Sequence, residues 1–76
     1  MPHIIVKLFP GRTEEQKQLC AEGLVQTLKN TINADEKSIS IEFEEVPREM
    51  WKEKVYLPEI IGKSDKLAKK PGYTMD

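Results

Sequence analysis

The stretch Pro2–Gln16, PHIIVKLFPGRTEEQ, contains a strand, a break and the opening of a helix. Side chains alternate across a strand, so Ile4, Val6 and Leu8 share one face and Ile5, Lys7 and Phe9 the other. Both faces are largely apolar, which predicts a strand over His3 to Phe9 covered on both sides. Pro10-Gly11 interrupts it, since neither residue continues a regular element easily. TEEQ at Thr13 to Gln16 then has the form of a capping box. The threonine hydroxyl takes the amide three residues on, and Gln16 reaches back to the cap amide. Glu14 and Glu15 in the first turn suit the positive end of the helix dipole.

The helix so opened carries Ala21, Leu24, Val25, Leu28 and Ile32 at i, i+3, i+4, i+7 and i+11. This is one apolar stripe with a charged face opposite. Gly23 weakens it by ~1 kcal/mol relative to alanine, and Asn33-Ala34-Asp35 ends it. SISIEFEE, Ser38 to Glu45, alternates strictly, with Ile39, Ile41 and Phe43 inward and Ser40, Glu42 and Glu44 outward. Strand, helix, strand is a β-α-β unit, with parallel strands and a right-handed crossover. Two strands alone are not stable, so the α/β subunit is expected to complete its sheet by dimerisation. PREMWKEKVYLPEII is expected to hold a short helical turn around Trp51, then an apolar stretch with Tyr56, Leu57, Ile60 and Ile61. The closing GKSDKLAKKPGYTMD is polar, and Lys63, Lys66, Lys69 and Lys70 read as a solvated face. We expect one domain, residues 1–76, with residues 62–76 as a polar C-terminal extension.

The chain has 76 residues, with 12 basic against 13 acidic side chains and a net charge of −1. No global field favours nucleic acid. A single cysteine, Cys20, excludes an internal disulfide, and with a single histidine it makes no ordinary zinc site. No apolar run approaches the ~20 residues of a membrane span, and the first residues lack a signal-peptide layout. On these readings the protein is expected in the cytoplasm. So short a chain buries only roughly 60% of its unfolded surface, so a partner subunit is the expected source of further stability.

Pro2 admits two readings. As an internal residue it starts a strand, where proline is tolerated. At a processed N-terminus it carries a free secondary amine. A general base works best with a pKa near the working pH. Apolar surroundings (Ile4, Phe9, Trp51) and a cation (Arg12) would lower the amine toward that range.

PHIIVKLFPGRTEEQKQ, the β-α-β length, Trp51 and the closing KKPGYTM together resemble the 4-oxalocrotonate tautomerase family, the last stretch its longer bacterial members. The resemblance covers roughly residues 2 to 61. It implies a cofactor-free, metal-free keto–enol tautomerase acting on a 2-hydroxydienoate or an enolpyruvate such as phenylenolpyruvate. Pro2, once Met1 is removed, falls where the family has its catalytic amine. Arg12 falls at the loop arginine that holds the substrate carboxylate, and a guanidinium fork binds carboxylate in bidentate fashion. Trp51 falls at the aromatic wall of the active site, although a lone tryptophan is as readily core. Ser40 is a departure: well-known members carry a second arginine there, which binds the far end of a diacid. Arg48 from a neighbouring subunit is a possible replacement. His3 reads as structural or exposed, and Cys20 as a small packing residue.

Two rivals stand beside this reading. One is a proline-dependent dehalogenase or hydratase of the same family, and the other a non-catalytic oligomeric binding module. Shorter family members are hexamers built as trimers of dimers. The extension from Gly62 adds charge and bulk, so a homodimer is expected here and a hexamer is the alternative.

Overall fold

The computed structural model describes all residues from Met1 to Asp76. The chain forms two compact units, residues 1–45 and 46–76. In the first, β1 (His3–Leu8) leads through Pro10-Gly11 to α1 (Glu14–Ile32), and β2 (Ser40–Glu45) returns parallel to β1. The register pairs His3 with Ser40, Val6 with Phe43 and Leu8 with Glu45. This is the expected β-α-β unit. Gly11 takes a φ of 121°, open to glycine and strained for other residues.

Both halves of the capping box form. The Gln16 amide donates to Thr13 Oγ1 at 3.0 Å, and the Thr13 amide donates to Gln16 Oε1 at 2.9 Å. At the other end Asn33 adopts the left-handed conformation, φ 56°, and its amide closes back on the Leu28 carbonyl. Lys17 clamps the helix to the sheet, reaching Glu14 at 3.0 Å and Glu45 of β2 at 3.3 Å.

Strand β2 begins two residues later than its alternation suggests. The Asp35 carboxylate accepts from the Lys37 amide at 3.1 Å, which folds Glu36–Ser38 into a 3₁₀ turn. Ala21, Leu24, Val25 and Leu28 form the half-buried stripe, whereas Ile32, expected to join it, is 60% exposed. The cause is length. A helix of 19 residues spans about 28 Å and a strand of 6 about 20 Å, so the last turn overhangs the sheet. Cys20, expected to pack, is exposed as well. Strands lie only about 4.8 Å apart, so a two-stranded ribbon is narrower than a helix and leaves its flank uncovered. No residue of this unit is fully buried, and Ile5 on the face away from α1 remains 46% exposed.

The second unit is built around Val46, Val55 and Tyr56, all buried. A 3₁₀ turn, Arg48–Met50, precedes Trp51, matching the short turn expected there. Beyond it the apolar stretch is a π-helix, Lys52–Ile61, with Pro58 inside. Proline lacks the N–H of an α-helical bond, and its ring would strike the carbonyl four residues back. The wider i→i+5 pattern accommodates it. The Gly62 amide continues that pattern to the Leu57 carbonyl at 2.9 Å. A final 3₁₀ turn, Ser64–Lys66, starts the polar tail, whose lysines are exposed. No helix is long and apolar enough to cross a membrane.

Candidate active site

Pro2 precedes β1 and is half-buried. Its carbonyl accepts the Ser40 amide at 3.2 Å, which ties it to the first residue of β2. His3 faces Ser40 across the ladder, and its Nδ1 lies 2.6 Å from Ser40 Oγ. Both side chains are exposed. Pro2, His3 and Ser40 therefore gather at one end of the sheet.

Arg12 is elsewhere. It follows the 6-residue β1, which separates it from Pro2 by roughly 20 Å. No arginine side chain spans that distance, so within one subunit the two do not meet. Arg12 instead edges a notch of about 290 Å³ floored by Val6, Leu8 and Phe43, with Lys17 and Cys20 opposite. Lys17 is committed to Glu14 and Glu45. Those bonds, that to Glu14 first, hold its ammonium above the ordinary 10.5. The exposed guanidinium of Arg12 is the other cation of this notch.

Trp51 belongs to the second unit, where it is half-buried and donates its Nε1 hydrogen to Tyr73 Oη at 3.1 Å. The Tyr73 ring lies 5.8 Å from that of Tyr56. By sequence Tyr73 belongs to a polar tail, and only the fold brings it to Trp51. The available clue was that an indole N–H away from bulk water wants an acceptor. The His3–Ser40 pair was also missed, because only the strand register makes the two residues neighbours.

The sequence pattern of the tautomerase enzyme family matches residues 2–54. Tautomerase PptA of Pectobacterium atrosepticum is 47% identical over 75 residues, covering 97% of this chain and 99% of that protein. The chain belongs to the tautomerase family. A probable tautomerase of Xylella fastidiosa is 40% identical over 73 residues, 96% of this chain and 89% of that protein. Among solved structures, the 4-oxalocrotonate tautomerase homologue YwhB superposes with a TM-score of 0.60 at 36% identity, over 62% of this chain and 77% of that one. TomN, a homologue in the tomaymycin biosynthetic pathway, gives 0.63 at 28% identity, over 66% and 77%. These likenesses set the tautomerase within the 4-oxalocrotonate group. Its small α/β fold, a β-α-β unit with parallel strands, is the fold of that group.

Proposed function

We propose that this tautomerase uses the amine of Pro2 as its base and acid, without a cofactor, on an enolpyruvate or 2-hydroxydienoate. The observation that carries the reading is the anchoring of Pro2. Ladder-bonded to Ser40 and half-buried at the sheet's end, it is the fixed residue a proton-transfer site requires. Removal of Met1, which is fully exposed at 103%, frees the amine. Partial burial disfavours the ammonium form and draws the pKa below that of free proline. The amine takes the enol hydroxyl proton as the C=O bond forms. The resulting ammonium then returns a proton to the carbon that carried the double bond, so one proton moves and no electron is lost or gained.

The carboxylate needs a cation at the Pro2 end, and the chain's own Arg12 is roughly 20 Å away. A second subunit supplies one. Strand β1 carries Ile4, Val6 and Leu8 on one face and Ile5 between His3 and Lys7 on the other, the less polar of the two strands, while β2 alternates with glutamates, as suits an edge. A two-fold axis normal to the sheet pairs β1 with its copy antiparallel and keeps both helices on one face. Each Pro2 then lies near the partner subunit's Arg12. One domain over residues 1–76, with the extension from Gly62, is the reading that a relative matching over 97% of the chain supports.

The test begins with the intact mass of natively expressed protein, expected to lack Met1. Nitrogen NMR of labelled Pro2 should give a pKa below that of free proline, and Pro2→Ala should lower kcat for phenylenolpyruvate by about 10²- to 10⁴-fold. Retained Met1 or an ordinary amine pKa overturns the assignment. Turnover of a haloacrylate or an acetylenic acid in place of the enol favours the dehalogenase or hydratase reading.

A further inference from the structure

We propose that the cavity between the end of the π-helix and the C-terminal tail is a binding site for a single aromatic ring carrying one carboxylate. By sequence the tail is polar, yet beyond the 3₁₀ turn at Ser64–Lys66 it brings Leu67 and Pro71 to the same cavity as Ile60 and Ile61. Tyr56, which is buried, and Tyr73, which is exposed, complete the apolar wall. The cavity measures about 160 Å³. An apolar cavity of about 150 Å³ holds benzene, so one ring fits here. None of the lining residues belongs to the candidate active site, so the inference stands apart from the tautomerase reading.

Ligand sites are mostly apolar, with a few polar groups that fix orientation. Here those groups select the ligand's other end. Lys70 is the one charged side chain of the lining, and no carboxylate shares it. Ser64 and Thr74 add hydroxyls, and Tyr73 keeps its own O–H to donate, because its Oη accepts from Trp51 Nε1 at 3.1 Å. An ammonium among hydroxyl donors favours an anion. The tail adds to this, since residues 62–76 hold four lysines against two aspartates. A cation would find no acid to pair with. Aromatic rings prefer offset or edge-to-face contact, and Tyr56 and Tyr73, 5.8 Å apart and tilted by 32°, offer two such surfaces. The bond from Trp51 to Tyr73 also links the cavity to the chain's one tryptophan, which should report its occupation.

Phenylacetate is a suitable probe, titrated into the full chain. Trp51 emission should change saturably, with a Kd on the order of 1 mM, and the methyl resonances of Ile60, Ile61, Leu67 and Thr74 should move with it. Phenylacetamide, the uncharged counterpart, should bind about 2- to 5-fold more weakly, and Lys70→Gln should erase that difference. Ser64 is exposed, so Ser64→Phe should fill the cavity in a folded chain and abolish the methyl shifts. Tyr73→Phe keeps the ring and removes the acceptor, so the methyl shifts should persist while the Trp51 response fades. Arg12→Ala should leave binding unchanged. Methyl shifts lost in Arg12→Ala would put the probe at the substrate cation and overturn the site. Shifts that survive Ser64→Phe, phenylacetamide bound as tightly as phenylacetate, or no saturable change in the wild type overturn it equally. None of these readouts depends on turnover, so failure of the tautomerase reading and failure of this site are told apart.

Discussion

A serine hydroxyl at position 40 donates one hydrogen bond and brings no charge, whereas a diacid substrate asks for a cation at each end. Monocarboxylic enols such as phenylenolpyruvate should accordingly be turned over at least as well as dicarboxylic ones, judged by kcat/KM under one set of conditions. A strong preference for the diacid would mean that another cation, Arg48 for instance, serves its far end. Lys17 gives a different kind of test. Its ammonium is held above 10.5 by hydrogen bonds to Glu14 and Glu45. A cation whose pKa is higher folded than unfolded contributes stability fully below the unfolded value, and loses it as pH rises through the folded value. Melts from pH 8 to 12 should therefore show wild type losing its advantage over Lys17→Met above pH 10.5. A constant difference across that range would mean that packing, not charge, fixes this side chain.

Local punctuation was the most legible part of the chain. The Pro10-Gly11 break, the Thr13–Gln16 box and the turn at Asn33 all follow from short-range chemistry, and all stand as expected. Thr13→Ala should cost about 0.5–2 kcal/mol in chemical denaturation by removing the cap bond. What depended on dimensions or distant partners was not legible. Ile32 fits the apolar stripe and Cys20 reads as a packing residue, but the sheet beneath is too short for one and too narrow for the other. Position 58 posed a different difficulty, since proline in an apolar run signals a break and the chain instead widens into the π-helix. The geometry there leaves no room at Gly62, where an added Cβ would stand 2.6 Å from the Pro58 carbonyl oxygen and 3.0 Å from that of Leu57. Both are backbone atoms, so Gly62→Ala should destabilise by about 1–3 kcal/mol, read as a lower denaturant midpoint. An unchanged midpoint would mean that the helix end shifts freely. For the candidate site, the residue types at Pro2, Arg12 and Ser40 were readable. The distance between Arg12 and Pro2 lies in the length of β1 and not in the residue types.

Assembly follows from the same separation. A β-α-β unit without one fully buried residue has surface still to cover, and Ile5 on the face of β1 away from α1 is 46% exposed. If β1 pairs with its copy, Pro2 of one subunit and Arg12 of the other form each site, and the homodimer carries two. Light scattering should give a dimer, and each tenfold dilution should lower stability toward unfolding by about 1.4 kcal/mol of dimer. A hexamer would leave the shared site intact and remove only the blocking role given to the extension from Gly62. The decisive measurement is complementation. Pro2→Ala and Arg12→Ala homodimers should each be nearly inactive, since every site lacks one member. Unfolded together in equal amounts and refolded, half the dimers are mixed, and each mixed dimer regains one complete site. Activity should then rise to about a quarter of wild type. No recovery on mixing, in protein shown to be dimeric, would place Pro2 and Arg12 in separate roles and break the shared-site assignment.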